Sequence, residues 1–196
     1  LHLPIAVLPL YVDISRFKQI VPVPHHRFST TLLWAGRLER EKNPMLALTA
    51  LAAARAAGHN VGLVIVGGGS LRHLLENTAR MLGIAEWVEW VGQRSSPQEV
   101  ADDYARAHLL LVTSDYEGYG MVIIEALAAG VPVLATDVGI AREAGAVIAE
   151  GDYAEALTTL LARPLPQGVL RMYPYTDQNE YLTRLHEYYA SIACRP

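Results

Sequence analysis

Apolar residues in this chain come in short, mostly unbroken runs, not in alternation with polar ones. Such runs lie at 31–35, 61–66, 88–91, 108–112 and 131–135. Strands with one wet face alternate; strands covered on both faces do not. Between the runs, helical stretches carry their own punctuation. Asn43-Pro44 predicts a cap followed by proline at the first helical position, and Gly58 stops the helix that runs to position 57. Ser70 is read as the cap of a helix over 70–82, which Gly83 ends. Helices are also predicted over 97–106, 121–129 (stopped by Gly130), 153–162 and 177–193. Strands alternating with helices predict right-handed crossovers and an α/β fold, a Rossmann-like parallel sheet with helices on both faces.

Ahead of the first of these runs, positions 5–8 read as a strand finishing an earlier unit, and Val21-Pro22-Val23-Pro24-His25-His26 as an extended linker. The expected organisation is an interdomain segment over 1–29, a ligand-binding body over 30–176 and a closing helix over 177–196. A Pro-containing stretch, 164–174, precedes that helix. The 196 residues suffice for one good core. Beginning at Leu1 rather than Met, the chain is expected to be part of a longer protein.

Composition narrows the chemistry. A net charge of −4 gives no general attraction to nucleic acid or acidic membranes, so affinity for phosphate has to be local. One cysteine, Cys194, excludes an internal disulfide and a multi-cysteine metal site, and fits a reducing compartment. No apolar run reaches the roughly 20 residues that span a bilayer, and no signal peptide opens the chain.

In parallel sheets ligands bind outside the carboxyl ends of strands, so the loops after strands are the informative ones. The first, 36–43, brackets acidic residues between Arg37 and Lys42, a fork and a point charge suited to a diphosphate. The alternative is that both cations are solvated or paired with Glu39 and Glu41. The second, Gly67-Gly68-Gly69-Ser70, is a poor dinucleotide fingerprint, since Arg72 stands where a third glycine belongs; a tight turn is the simpler reading. The third runs from Ser114 through Glu117, Gly118, Tyr119 and Gly120 into a helix beginning near Met121 and Val122. A helix start offers free N–H groups and glycines admit a phosphate close to them. Glu117 and Glu125 lie about 12 Å apart if both are helical, which suits opposite ends of an extended ligand rather than a carboxylate dyad. Glu125 sits among Val122, Ile123, Ile124, Ala126 and Leu127, and a carboxylate in that company needs a partner. The fourth loop, 136–145, faces the same cleft, with turn chemistry explaining Asp137 and Gly139 equally well.

Taken in order, the pieces W-A-G-R-L-E-R-E-K-N (34–43), I-V-G-G-G-S-L-R (65–72), V-E-W-V-G (88–92) and S-D-Y-E-G-Y-G-M-V-I-I-E-A-L-A-A-G-V-P-V-L-A-T-D-V-G (114–139) resemble the family 4 glycosyltransferases of GT-B architecture. The resemblance implies the C-terminal, donor-binding half of a retaining, metal-independent enzyme. Its donor would be a nucleoside-diphosphate sugar (UDP-, GDP- or ADP-linked), with no other cofactor. It implies that Gly36, Arg37 and Lys42 meet the diphosphate, and that Glu117 contacts the transferred sugar. The backbone of Gly118, Tyr119 and Gly120 would hold the phosphates, Glu125 the ribose, Val91, Gly92 and Arg94 would lie near the base, and Met121 and Val122 would belong to the same nucleotide-sugar site. Catalytic roles fall to Glu117, Arg37 and Lys42. An acceptor (sugar, lipid or small molecule) would be held by a preceding domain, toward which the final helix with Tyr181, Tyr188 and Tyr189 would return; ordinary core or surface packing is an equal reading of those tyrosines. A cytoplasmic protein, peripheral to the inner membrane when complete and inactive as a half, is the expectation. Departures from the family pattern lie at 9–13 and after Gly139, where the stretch to Gly151 reads as shortened. Two other readings stay open: a non-catalytic nucleotide-sugar module and a nicotinamide-dependent enzyme on a similar sheet.

Overall fold

The computed structural model describes residues 8–175 and 177–193. The predicted strand over 5–8 falls largely outside them, and Leu8 belongs to no regular element. Six strands form one sheet: β1 (Thr30–Ala35), β2 (Val61–Val66), β3 (Val88–Gly92), β4 (Leu109–Val112), β5 (Val133–Ala135) and β6 (Val147–Ile148). Their order is β3-β2-β1-β4-β5-β6, and every pairing is parallel. Seven helices connect or follow them: α1 (Pro44–Ala56), α2 (Arg72–Met81), α3 (Pro97–Arg106), α4 (Met121–Ala128), α5 (Ala141–Ala144), α6 (Tyr153–Leu161) and α7 (Gln178–Ala193).

Successive side chains on a strand point to opposite faces, so each buried strand feeds two cores. Leu32, Trp34, Leu63, Ile65, Leu109 and Leu111 pack against α1, α2 and α6. Leu33, Val64, Val66, Leu110 and Val112 pack on the other side against α3, α4 and α5. This division explains why the runs lack polar alternation.

Several local expectations are corrected. Ser70 caps nothing: α2 begins at Arg72, and the Ser70 N–H and hydroxyl donate to the two carboxylate oxygens of Glu39 at 2.8 and 2.7 Å. Asn43 stands at the head of α1 but in the left-handed region (φ 45°) and makes no side-chain cap. Its amide bonds Asp115 across the sheet instead, at 3.1 Å. The fourth and fifth strands are shorter than their apolar runs, beginning at Leu109 and Val133. β6 and α5 were not expected. Both lie between Gly139 and Gly151, and β6 forms by adding Val147 and Ile148 to the edge of β5.

The segment before β1 lies on the sheet. Val12, Ile14, Phe17 and Phe28 are buried in the core that contains α3 and α4. Phe28 lies over Gly62, where an added Cβ would come within 2.3 Å of its ring. At the other end of the chain, Tyr181 of α7 stacks on Tyr11 at 5.7 Å and meets Tyr175 edge-on at 5.2 Å. Tyr189 is largely exposed. Among the described residues no helix is long and apolar enough to cross a membrane.

Candidate functional site

The chain builds the sheet outward from β1 through β2 to β3, then returns to the other side of β1 with β4. The loops leaving β1 and β4 therefore start side by side, and the general rule for such sheets puts the ligand crevice where the direction of building reverses. Side chains and backbone tie these loops together. The Asp115 N–H donates to Glu41 O at 2.9 Å. The Thr113 hydroxyl donates to Lys42 O at 3.1 Å while accepting from the Trp34 indole at 2.9 Å.

Across this crevice Lys42 Nζ lies 2.6 Å from Glu117 Oε1, with only 20% and 10% of the two side chains exposed. The Ser114 hydroxyl donates to the same carboxylate oxygen at 2.8 Å. Gly120 follows in the left-handed region (φ 96°), a conformation glycine adopts without strain, and turns the chain into α4. The fourth loop buttresses this turn from behind. Ile140 N–H donates to Tyr119 O at 2.9 Å, and the Thr136 hydroxyl to Ser114 O at 2.6 Å. The Tyr119 side chain is not part of the crevice wall: its hydroxyl is buried without a hydrogen-bond partner, and burial with Tyr173 and Tyr175 nearby pushes its pKa up to about 12.

One turn further along α4, burial raises the pKa of Glu125, offset in part by a hydrogen bond from the Tyr104 hydroxyl at 2.9 Å. The arrangement thus places a nearly buried carboxylate, a glycine-rich helix start and a second, half-buried carboxylate in sequence along one loop and helix, with a cation from the neighbouring loop on the first of them. Such a row can hold an anion at the helix start and accept hydroxyl hydrogens on either side of it.

A profile of the family described as "Glycosyl transferases group 1" matches residues 18–163. The chain belongs to this family. Among relatives of this group 1 glycosyl transferase chain is a D-inositol 3-phosphate glycosyltransferase of Catenulispora acidiphila, 38% identical over 179 residues, which are 78% of this chain and 41% of that protein. A solved structure of WaaG, a glycosyltransferase involved in lipopolysaccharide biosynthesis, is 30% identical with a TM-score of 0.60, covering 78% of this chain and 43% of that one. A pneumococcal O-GlcNAc transferase, solved with UDP and GlcNAc, shares the fold at 20% identity and a TM-score of 0.68, over 90% of this chain and 38% of that one. The chain spans less than half the length of the curated relatives it matches.

Within this group 1 domain not every expected residue converges on the crevice. Arg37 is 70% exposed and pairs with Glu41 at 2.7 Å, the in-loop pairing that was its alternative. Lys42 is not so paired; its partner is Glu117. Arg94 is committed to Asp103 on α3, at 2.7 and 2.5 Å through two nitrogens, so its fork faces a buried carboxylate. Val91 and Gly92 end β3, where Gly92 O accepts from Gly67 N–H at 2.8 Å. Gly36 is held by β2, its N–H donating to Val66 O at 3.0 Å. Met121 is half exposed at the start of α4. Sequence reasoning gave no role to Ser114, Thr136, Asp103 or Tyr104. Ser114 was within the quoted loop, and its spacing of three from Glu117 was the available signal. A hollow of about 890 Å³ lined by Lys18, Ala128, Gly130 and Arg171 lies at the far end of α4 from Gly120. Among the described residues no group of three or more His, Cys, Asp or Glu is placed to hold a metal ion.

Proposed function

We propose that this chain is the donor-binding half of a retaining glycosyltransferase, which takes a sugar from a nucleoside diphosphate and bonds it to an acceptor hydroxyl held by a preceding domain. The observation that carries the reading is the Lys42–Glu117 pair at the start of α4, at the point where the sheet reverses. In the proposal the diphosphate lies over Gly118 to Gly120, taking hydrogen bonds from the helix start and charge from Lys42 and Arg37. A departing nucleoside diphosphate gains negative charge as the glycosidic bond breaks, and prearranged cations and N–H groups stabilise that change without a metal. Glu117 accepts from sugar hydroxyls on one side, and Glu125 from the ribose on the other. Backbone at Val91 and Gly92 meets the base, with Arg94 kept on Asp103. UDP is the first candidate nucleotide, because the pneumococcal O-GlcNAc transferase of the same fold was solved with it.

The test is calorimetric titration of the chain with UDP, GDP, ADP and NADH. One nucleoside diphosphate is expected to bind at least tenfold more tightly than NADH and than its own nucleoside, a difference of about 1.4 kcal/mol. Equal affinity for nucleoside and nucleoside diphosphate would remove the phosphate site.

A further inference from the structure

Glu125 is an awkward residue to place in α4. It is flanked by Ile123, Ile124, Ala126 and Leu127, all buried, and its carboxylate is disfavoured there as an anion. What holds it is on another element. Tyr104 of α3 is 1% exposed, one of the largest fully buried side chains in the molecule. Its ring is fixed edge-on against Phe17, with centroids 5.6 Å apart and planes at 88°. From that seat the hydroxyl lies 2.9 Å from Glu125 Oε2 and 3.3 Å from Val122 O. A phenol has one proton to donate, and an ionised carboxylate is the stronger acceptor of the two. The other carboxylate oxygen of Glu125 has no hydrogen-bond partner among the described residues.

We infer that Tyr104 is a positioning residue for nucleotide recognition: it holds one oxygen of the Glu125 carboxylate from inside the core, leaving the second oxygen to accept from the paired hydroxyls of a ribose. This rests on the proposed ribose role of Glu125. The geometry supports the division of labour because the two Glu125 oxygens are unequal. One is occupied from inside the core by a donor that packing holds in place, and the other carries no hydrogen bond among the described residues. Burial raises the pKa of Glu125 and the Tyr104 hydrogen bond opposes the rise. Removing the hydroxyl should therefore move the protonation of Glu125 to higher pH. Among the described residues the charged group beside this pair is Asp103 of α3, which acts on the Tyr104 hydroxyl and is itself paired with Arg94.

The experiment compares the full chain with Tyr104→Phe, Glu125→Gln and the double variant. The ligands are the tightest of UDP, GDP and ADP and its 2′,3′-dideoxy form, titrated between pH 5.5 and 8. Circular dichroism and melting temperature establish that each variant is folded. In Tyr104→Phe the preference for the ribonucleotide is expected to fall roughly fivefold, with the dideoxy form bound within about twofold of wild type. The preference is also expected to vanish at a higher pH than in wild type. In Glu125→Gln the preference falls, and adding Tyr104→Phe changes it no further. Loss in Glu125→Gln with none in Tyr104→Phe overturns the inference and keeps the ribose site. An intact preference in Glu125→Gln overturns the ribose reading itself. Equal weakening of both ligands in Tyr104→Phe, with no shift along the pH axis, marks a packing role and also overturns the inference. A carbon-13 titration of the Glu125 carboxyl decides the coupling without ligand: an unchanged midpoint in Tyr104→Phe rejects it even where nucleotide binding is weak.

Discussion

At the scale of single residues the two cations of the first loop are not equivalents. Lys42 is four-fifths buried and paired with Glu117 of the loop that leads into α4, whereas Arg37 is 70% exposed and paired along its own loop. Exposed ion pairs are screened and exchange partners easily, and buried ones do so at greater cost. Lys42→Ala is therefore expected to weaken nucleoside diphosphate binding by tenfold or more, and Arg37→Ala by less, with nucleoside affinity nearly unchanged in both. Isothermal titration of the two variants checks the ranking; a larger effect at Arg37 would show that its side chain swings into the crevice and that Lys42 does not lead. Lys42→Ala also leaves Glu117 with the Ser114 hydroxyl and no cation, which should lower stability by about 1–3 kcal/mol in urea unfolding.

At the scale of elements, the turn after β2 shows what two of its three glycines are for. Gly67 adopts φ 129°, and a Cβ there would lie 1.9 Å from Gly36 O; Gly69 at φ 158° would meet Leu38 O at 2.6 Å. The second loop is thus pressed against the first, and the reading as a tight turn agrees with this geometry. Gly67→Ala is expected to cost about 2–4 kcal/mol through clash and backbone strain together. Chemical denaturation would measure it, and a loss under 1 kcal/mol would mean that the first loop gives way freely. The long elements were legible because five apolar runs and their stop signals each carry a pattern of their own. β6 was not, because two residues have no period, and it exists only through pairing with β5. The caps misled for a related reason. Ser70 and Asn43 stand where caps belong, but hydrogen bonds to Glu39 and Asp115, on loops that only folding brings near, hold their side chains away from the helix N–H groups they would accept from. Glu125 was legible as a carboxylate in need of a partner, while the partner, 21 residues earlier, was not.

At the scale of the whole molecule, the segment before β1 is bound to the body through titratable contacts. The His25 side chain is 3% exposed, stacked on Phe28 at 5.0 Å and on His26 at 4.6 Å. Burial holds its pKa below the usual 6.5, and Glu89, 3.6 Å away, offsets only part of the shift. His108 is also lowered by burial, and its Nδ1 accepts from Thr31 N–H at 3.1 Å, a bond that protonation breaks. Groups with depressed folded pKa values contribute stability in full above their unfolded pKa and lose it as pH falls through the folded value. Urea unfolding of wild type should therefore lose stability below about pH 6.5 faster than His25→Phe, which keeps the stack. Parallel slopes for the two proteins would show that His25 is not a buried neutral group. The pairing of Lys42 with Glu117 and of Arg37 with Glu41 has a consequence at this same scale. A chain of net charge −4 whose first-loop cations Arg37 and Lys42 already face carboxylates projects little positive field from that loop into solvent. An anionic ligand is then met by ordinary diffusion and not drawn in from a distance. In the proposed function, donor affinity would then be set by how long the ligand stays rather than by how fast it arrives.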